Sequence, residues 1–300
     1  MTVYNQISEN KIKSYGIMFI FVILFSGFFY LIGKHFGSPG PYFVIGITIS
    51  VLSSIGSYLY SDKIVLFTTR AKPADKKTYF DFYTVSENLA TAAGLPVPRL
   101  YVIDDSAPNA FATGRDPKHA IVCATTGLLE RMDRAELEGV IAHELSHVKN
   151  YDILFASLVS VLVGTLALVS DWIMRSFWWG GFSKDRDERE NNRSPIFFIL
   201  FIVVLVLTPV VATIIQLAIS RKREFLADAS GVLITRYPEG LARAHEKIAS
   251  DSHRMRSATS STAHLFISDP FKKKRLSNFF ITLFSTHPPV EERIKILRSM

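Results

Sequence analysis

The sequence predicts a mainly α-helical membrane protein that also carries a small β-sheet, and three observations predict it. Hydrophobic residues make up 48% of the 300-residue chain and gather in long runs rather than spreading evenly. Four of these runs approach the ~20 residues needed to cross ~30 Å of hydrocarbon. Between them lie charged stretches, helical spacings and two short β-type runs, the pattern of a chain that also builds a folded unit in water.

The first apolar run covers Tyr15 to Gly33 and the second Tyr42 to Tyr60. Lys11 and Lys13 precede the first, as in a signal peptide, but the run is too long for a signal core and a second span follows at once. An uncleaved hairpin is expected, turning at Gly37-Ser38-Pro39-Gly40-Pro41. Asp62 to Lys77 is mixed and basic. Tyr79 to Ala93 has helical spacing and stops at Gly94-Leu95-Pro96. Arg99 to Val102 and Ala120 to Ala124 read as strands separated by turn-rich polar sequence. A helix is predicted from Asp133 through Asn150. The third and fourth apolar runs, Ile153 to Val169 and Ile196 to Ile219, flank a charged loop at Ser183 to Ser194. From Ser220 the chain is mixed and mostly helical, with His253 to Thr262 and Lys272 to Arg275 expected as mobile connections. This divides the chain into a hairpin (1–60), a first folded part outside the bilayer (61–152), a second membrane pair (153–219) and a second folded part (220–300).

Composition narrows the classes of function. The net charge of +7 is compatible with nucleic acid or with the anionic inner leaflet of a membrane. No nucleic-acid-binding motif is present and the bases cluster beside apolar runs, which favours the lipid bilayer as partner. Cys123 is the only cysteine, so no internal disulfide can form. It reads as a small buried hydrophobe.

One motif carries chemistry. His143-Glu144-Leu145-Ser146-His147 reads H-E-x-x-H within the helical stretch Ala135 to Val148. Positions i and i+4 share a helix face, so both imidazoles can meet one metal ion. Glu144, rotated by about 100°, stands beside the ion, placed to move a proton from water to a leaving amine. Imidazole with carboxylate ligation suits one zinc ion with an open fourth position. A third ligand must come from elsewhere. In Arg221-Lys222-Arg223-Glu224-Phe225-Leu226-Ala227-Asp228, Glu224 and Asp228 lie four apart. By spacing alone this is equally a metal ligand with its supporting carboxylate or a surface charge pattern with Arg221 or Lys222.

The segments Ile141 to Val148 and Arg223 to Ala229 resemble those of HtpX-type membrane metallopeptidases, relatives of the CAAX prenyl proteases. Asn109-Ala110-Phe111-Ala112-Thr113-Gly114 and Thr286-His287-Pro288-Pro289 extend the likeness in the same order. The resemblance implies a gluzincin-like zinc unit with Glu224 as third ligand. It implies polypeptide substrates drawn from damaged or unassembled membrane proteins. It also sets Asn109 at a substrate-binding edge strand, and His287 and Arg293 in a carboxy-terminal motif where either can stabilise an oxyanion. Asp152 matches a family aspartate, with a helix-end or ligand-supporting role. Trimming of one defined precursor, or a scaffold with structural zinc, stays open beside broad degradation.

Shared ligation requires residues 143–147 and 224 to lie on one side of the membrane. Lys11, Lys13, Arg70, Lys72, Lys76, Lys77 and Arg221 to Arg223 flank the runs, and positive flanks face the cytoplasm. The expectation is a multi-pass protein of the inner membrane with its catalytic part inside. Arg175, Lys184, Arg186, Arg189 and Arg193 between runs three and four oppose this, so a hairpin that enters without crossing stays open.

Overall fold

The computed structural model describes residues 3–35, 37–180, 221–271 and 288–300. The fourth apolar run, the charged loop from Ser183, Lys272 to Arg275 and His287 lie outside the described residues.

Helices α1 (Val3–His35) and α2 (Pro39–Thr69) form the amino-terminal hairpin, turning through Gly37 at a φ of 73° that favours glycine. Both are long and apolar enough to cross a membrane. A ladder of small buried residues, Ser50, Ser54, Ser57 and Ser61, lets α2 lie close to its neighbours. It does not end with its apolar run at Tyr60. Its last turns bury Val65 and Leu66 against the sheet, and Arg70 closes the helix in the left-handed conformation.

Four strands follow in the order β1-β2-β4-β3: β1 (Lys72–Pro73), β2 (Arg99–Ile103), β3 (Ala110–Thr113) and β4 (Ile121–Thr125). β2 and β4 are parallel, while β3 runs antiparallel along β4 at the sheet's edge. β3 sits in the stretch read from residue types as turn-rich. Its Ala-Phe-Ala-Thr core carries a weak strand signal, and pairing with β4 decides the conformation. Alternation sends Leu100, Val102, Ala110, Ala112, Val122 and Ala124 to one face. Ile103, Phe111, Ile121 and Cys123 go to the other, where α2 ends. Cys123 is fully buried and burial holds its thiol well above the usual range, so it packs as a hydrophobe.

On the first face lie α3 (Phe80–Ala93), ended by left-handed Gly94, and α5 (Arg134–Lys149), which follows the short α4 (Thr126–Arg131). α5 begins with a capping box: Asp133 accepts from the Glu136 amide and Glu136 accepts from the Asp133 amide, both at 2.9 Å. α6 (Asp152–Gly180) leaves α5 at 84°, through Tyr151 at a φ of 60°. It packs Phe155, Val159, Leu162 and Val163 onto Ile17, Phe21 and Phe25 of α1. Two further helices, α7 (Arg221–Thr235) and α8 (Pro238–Ser250), pack on α5, and α9 (Val290–Arg298) packs on those two.

The segment His253 to Thr262 is not the loose connection its polarity suggests. Asp105 accepts from the backbone amides of Arg256 and Ser257 at 2.8 and 3.2 Å, and Met255 and Thr262 are buried. Those contacts come from residues about 150 positions away in sequence, so no local pattern reveals them.

Candidate active site

His143, Glu144 and His147 lie on the buried face of α5, which two neighbouring helices approach closely at glycines. Gly139 faces α8 where a Cβ would stand 2.6 Å from the Leu241 amide nitrogen. Gly231 of α7 lies so close that a Cβ would be 3.1 Å from the His143 nitrogen. That approach brings Glu224, two turns earlier on α7, over the imidazoles. The nearest ligand atoms are His143 Nε2 to Glu224 Oε2 at 3.9 Å and His147 Nε2 to Glu224 Oε1 at 3.6 Å. Ligands at about 2.0–2.2 Å from one tetrahedral ion stand roughly 3.3–3.6 Å apart, so the trio fits a single metal.

The imidazoles supply a second test of fit. His143 Nδ1 lies 2.9 Å from Asp228 Oδ1, and His147 Nδ1 lies 3.0 Å from Asp152 Oδ2. An ionised carboxylate only accepts, so both Nδ1 atoms carry the hydrogens. Both Nε2 atoms then turn lone pairs toward each other across 3.1 Å. Two facing lone pairs repel unless a proton or a cation lies between them. Burial pushes His143 down to about 4. Burial also opposes charge on His147, yet Asp152, Glu224 and Glu144 together raise it to about 9. A proton on His147 or a metal ion between the two Nε2 atoms relieves that repulsion, and two imidazoles with a carboxylate are a donor set that suits a divalent ion.

Glu144 is 1% exposed. Burial, with Glu224 nearby, lifts its carboxyl to about 7 against the pull of His147. It accepts a hydrogen bond from the Ala112 amide, so edge strand β3 holds it in place. The cleft beside it is walled by Ala112, Ile153, Ala156 and residues 264–267.

The other sequence candidates divide. Asp228 and Asp152 each support one histidine. Arg293 was expected where an oxyanion forms, but it is 2% exposed and does not line the cleft. Its Nε and Nη2 donate to Asp228 at 2.8 and 2.6 Å, and Nη1 lies 3.2 Å from Glu224. Two carboxylates on α7 claim the guanidinium, because a buried cation needs partners, and the guanidinium holds Asp228 well below the usual carboxylate range despite its burial. Asn109 braces the chain rather than facing the cleft. Its side chain accepts from the Ala110 and Ser268 amides and donates to the Ser268 carbonyl at 2.9 Å. Beside it Ile267 donates to the Ala110 carbonyl at 2.9 Å, so the protein's own chain pairs with this part of β3. Sequence reasoning missed Arg223, which pairs with Asp152 at 3.0 Å, and the buried His245, 3.7 Å from Asp228. It missed Asn10 as well. Arg223 adjoins Glu224 and was read there only as a basic flank, whereas no spacing rule links His245 or Asn10 to the motif, since each reaches it from a distant helix.

Comparison with known proteins decides the family. A model described as "Peptidase family M48" matches residues 81–300. The chain belongs to peptidase family M48. "Protease HtpX homolog" of Caldanaerobacter subterraneus subsp. tengcongensis is 44% identical over all of this chain and 98% of its own length. The homologue of Thermoanaerobacter pseudethanolicus is 45% identical over the same shares, and that of Tropheryma whipplei is 42% identical over 99% of this chain and 98% of its own. This M48 chain thus matches HtpX proteins from its membrane hairpin to its last helix. Its fold is similar to the crystal structure of S. mikatae Ste24p, with a TM-score of 0.50 and 21% identity, covering 98% of this chain and 67% of that one. A mainly helical fold with membrane-length helices and a small mixed sheet is common ground between expectation and structure.

Proposed function

We propose that this M48 peptidase is a membrane-embedded zinc endopeptidase whose ion is held by His143, His147 and Glu224. The observation that carries the reading is the pair of Nε2 atoms 3.1 Å apart, each forced by its own carboxylate partner to face the other. When bound, the ion supplies Lewis-acid polarisation of the scissile carbonyl and of water. The chain does the rest. Glu144, held by the Ala112 amide, takes a proton from the attacking water and returns it to the leaving amine. Its carboxyl near 7 suits both halves of that exchange. Asp228 and Asp152 orient the imidazoles, and Arg293 keeps Asp228 ionised and pairs with Glu224.

Strand β3 meets the cleft through Ala112, where an extended polypeptide can add to the sheet. Loops of damaged or unassembled membrane proteins are the proposed substrates, in the service of quality control. The relatives named as HtpX proteases support this, as does a cleft at the foot of membrane-length helices. Positive flanks at Lys11, Lys13, Arg70 and Arg221 to Arg223 support an inner-membrane protein with this unit in the cytoplasm. The proposed units are the hairpin (1–60), two catalytic parts (61–152 and 220–300) and a membrane pair between them (153–219).

Glu144→Gln tests the reading. The purified variant should retain zinc while cleavage of an unfolded membrane protein falls by roughly 10²–10⁴-fold. Near-normal cleavage removes Glu144 from the mechanism, and zinc retained unchanged by His143→Ala moves the ion elsewhere.

A further inference from the structure

The polar start of α1 reaches the active site. Asn10 precedes the first apolar run and is 5% exposed, beside Ser8, Ile12 and Lys13, which are exposed. Its Nδ2 donates to the Asn150 carbonyl at 2.9 Å and to Asp152 Oδ1 at 2.7 Å. Asp152 is the carboxylate whose other oxygen accepts from His147. The same Oδ1 lies 3.0 Å from Arg223 Nε, on the helix that carries Glu224. One carboxylate is therefore gripped from α1, α5 and α7 at the bend where α5 gives way to α6.

The rest of α1 makes the grip rigid. Lys11 stands 4.3 Å above the Tyr151 ring, on the strained residue of that bend. Ser14 is fully buried beside Asn10, donating to its carbonyl at 2.8 Å. Above them Ile17, Phe21 and Phe25 recur every four residues and interlock with Phe155, Val159 and Leu162 of α6. A lipid anchor needs none of this. It needs no buried amide at its end, and a buried amide without partners would be costly.

We propose that Asn10 is a positioning residue of the metal site, and that the first membrane helix is part of the catalytic unit rather than a tether for it. Asn10 acts through Asp152: it fixes the carboxylate that selects the His147 tautomer and ring orientation, and so the direction of Nε2. The inference rests on the metallopeptidase reading, but it concerns a residue lying outside the region 81–300 that the family model matches.

The test is a double-mutant cycle on the full-length chain in detergent, with zinc affinity read by chelator competition and thermal midpoint read on the metal-free samples. Asn10→Ala should weaken zinc by roughly 3–10-fold, less than the roughly 10–100-fold typical of a group touching a ligand directly. In an Asp152→Ala background the same change should have no further effect on affinity, because its route to His147 is gone. Asn10→Asp, the same size but carrying a charge against Asp152, should weaken zinc more than Asn10→Ala at neutral pH. Phe21→Ala serves as the packing control and should lower the midpoint with no coupling to Asp152. Unchanged affinity in Asn10→Ala, or losses that simply add to those of Asp152→Ala, would overturn the proposal and leave Asn10 a helix-docking residue. Wild-type protein whose zinc affinity is unaffected by His143→Ala would instead overturn the metal site itself.

Discussion

Glu144 is a carboxylate that the fold withholds from water, with consequences that differ between the loaded and the metal-free site. Its carboxyl is raised from the ordinary 4.5 to about 7, chiefly by burial. A raised folded value means that the native state binds its proton more tightly than the unfolded chain does. Native stability is then fully present below the unfolded value near 4.5 and falls as pH rises through 7. That difference corresponds to about 3 kcal/mol, lost progressively across that window. Glutamine carries no charge to desolvate. Chelator-treated Glu144→Gln protein should therefore melt above chelator-treated wild type at pH 8 and close to it at pH 5. Equal gaps at both pH values, measured by thermal denaturation in one detergent, would show that burial does not hold this carboxyl in its acid form. At the same scale Arg293 shows how proximity to a site differs from membership of its cleft. Its guanidinium is spent on two carboxylates, so it shapes the site from behind.

Helix α7 presents two carboxylates four residues apart to two different tasks. Glu224 turns its oxygens toward both Nε2 atoms, at 3.6 and 3.9 Å. Asp228, one turn further on, sits under His143 Nδ1 at 2.9 Å. The helix can do both because Gly231 lets it lie against the α5 backbone. Loss of the two groups should separate cleanly. Glu224→Ala should empty the site at ordinary zinc concentrations, whereas Asp228→Ala should weaken binding by roughly 10–100-fold and still fill at higher zinc. Metal content after dialysis at graded free zinc distinguishes them, and the opposite ranking would exchange their roles. Elements on the sheet side work similarly: β3 holds Glu144 through Ala112, and the 264–267 segment builds the opposite wall.

Over the whole molecule, the hairpin, the sheet unit and α6 interlock. α2 ends against the sheet beside Phe111 and Phe266, and α1 starts at the elbow that follows the H-E-x-x-H helix. If α1 and α2 both cross, their turn and the sheet unit lie on opposite sides of the bilayer. Ser38 in the turn and Thr91 on α3 are both exposed. Single cysteines there, in a Cys123→Ser background, should react differently with an impermeant thiol reagent applied to intact cells. Ser38→Cys should label, while Thr91→Cys should label only after permeabilisation. Labelling of Thr91→Cys alone would invert the orientation, and labelling of neither would mean that the hairpin does not cross.

The H-E-x-x-H spacing, the apolar runs and the glycine and proline stops are local patterns, and each is legible because its physics acts over a few residues. Helical periodicity sets His143 and His147 on one face, and hydrocarbon thickness matches the length of the apolar runs within α1 and α2. Spacing left Glu224 balanced between ligand and surface charge, because spacing on one helix says nothing about what that helix packs against, and within the sequence only the family resemblance favoured the ligand. Only the tertiary structure turned Glu224 toward the imidazoles, by bringing Gly231 to the α5 backbone. It alone withdrew Arg293 from the cleft, tied the polar 253–262 segment to Asp105, and carried Asn10 some 140 residues across the chain to Asp152. Those contacts are decided by burial and by the need of each buried polar group for a partner, and neither leaves a period in the sequence.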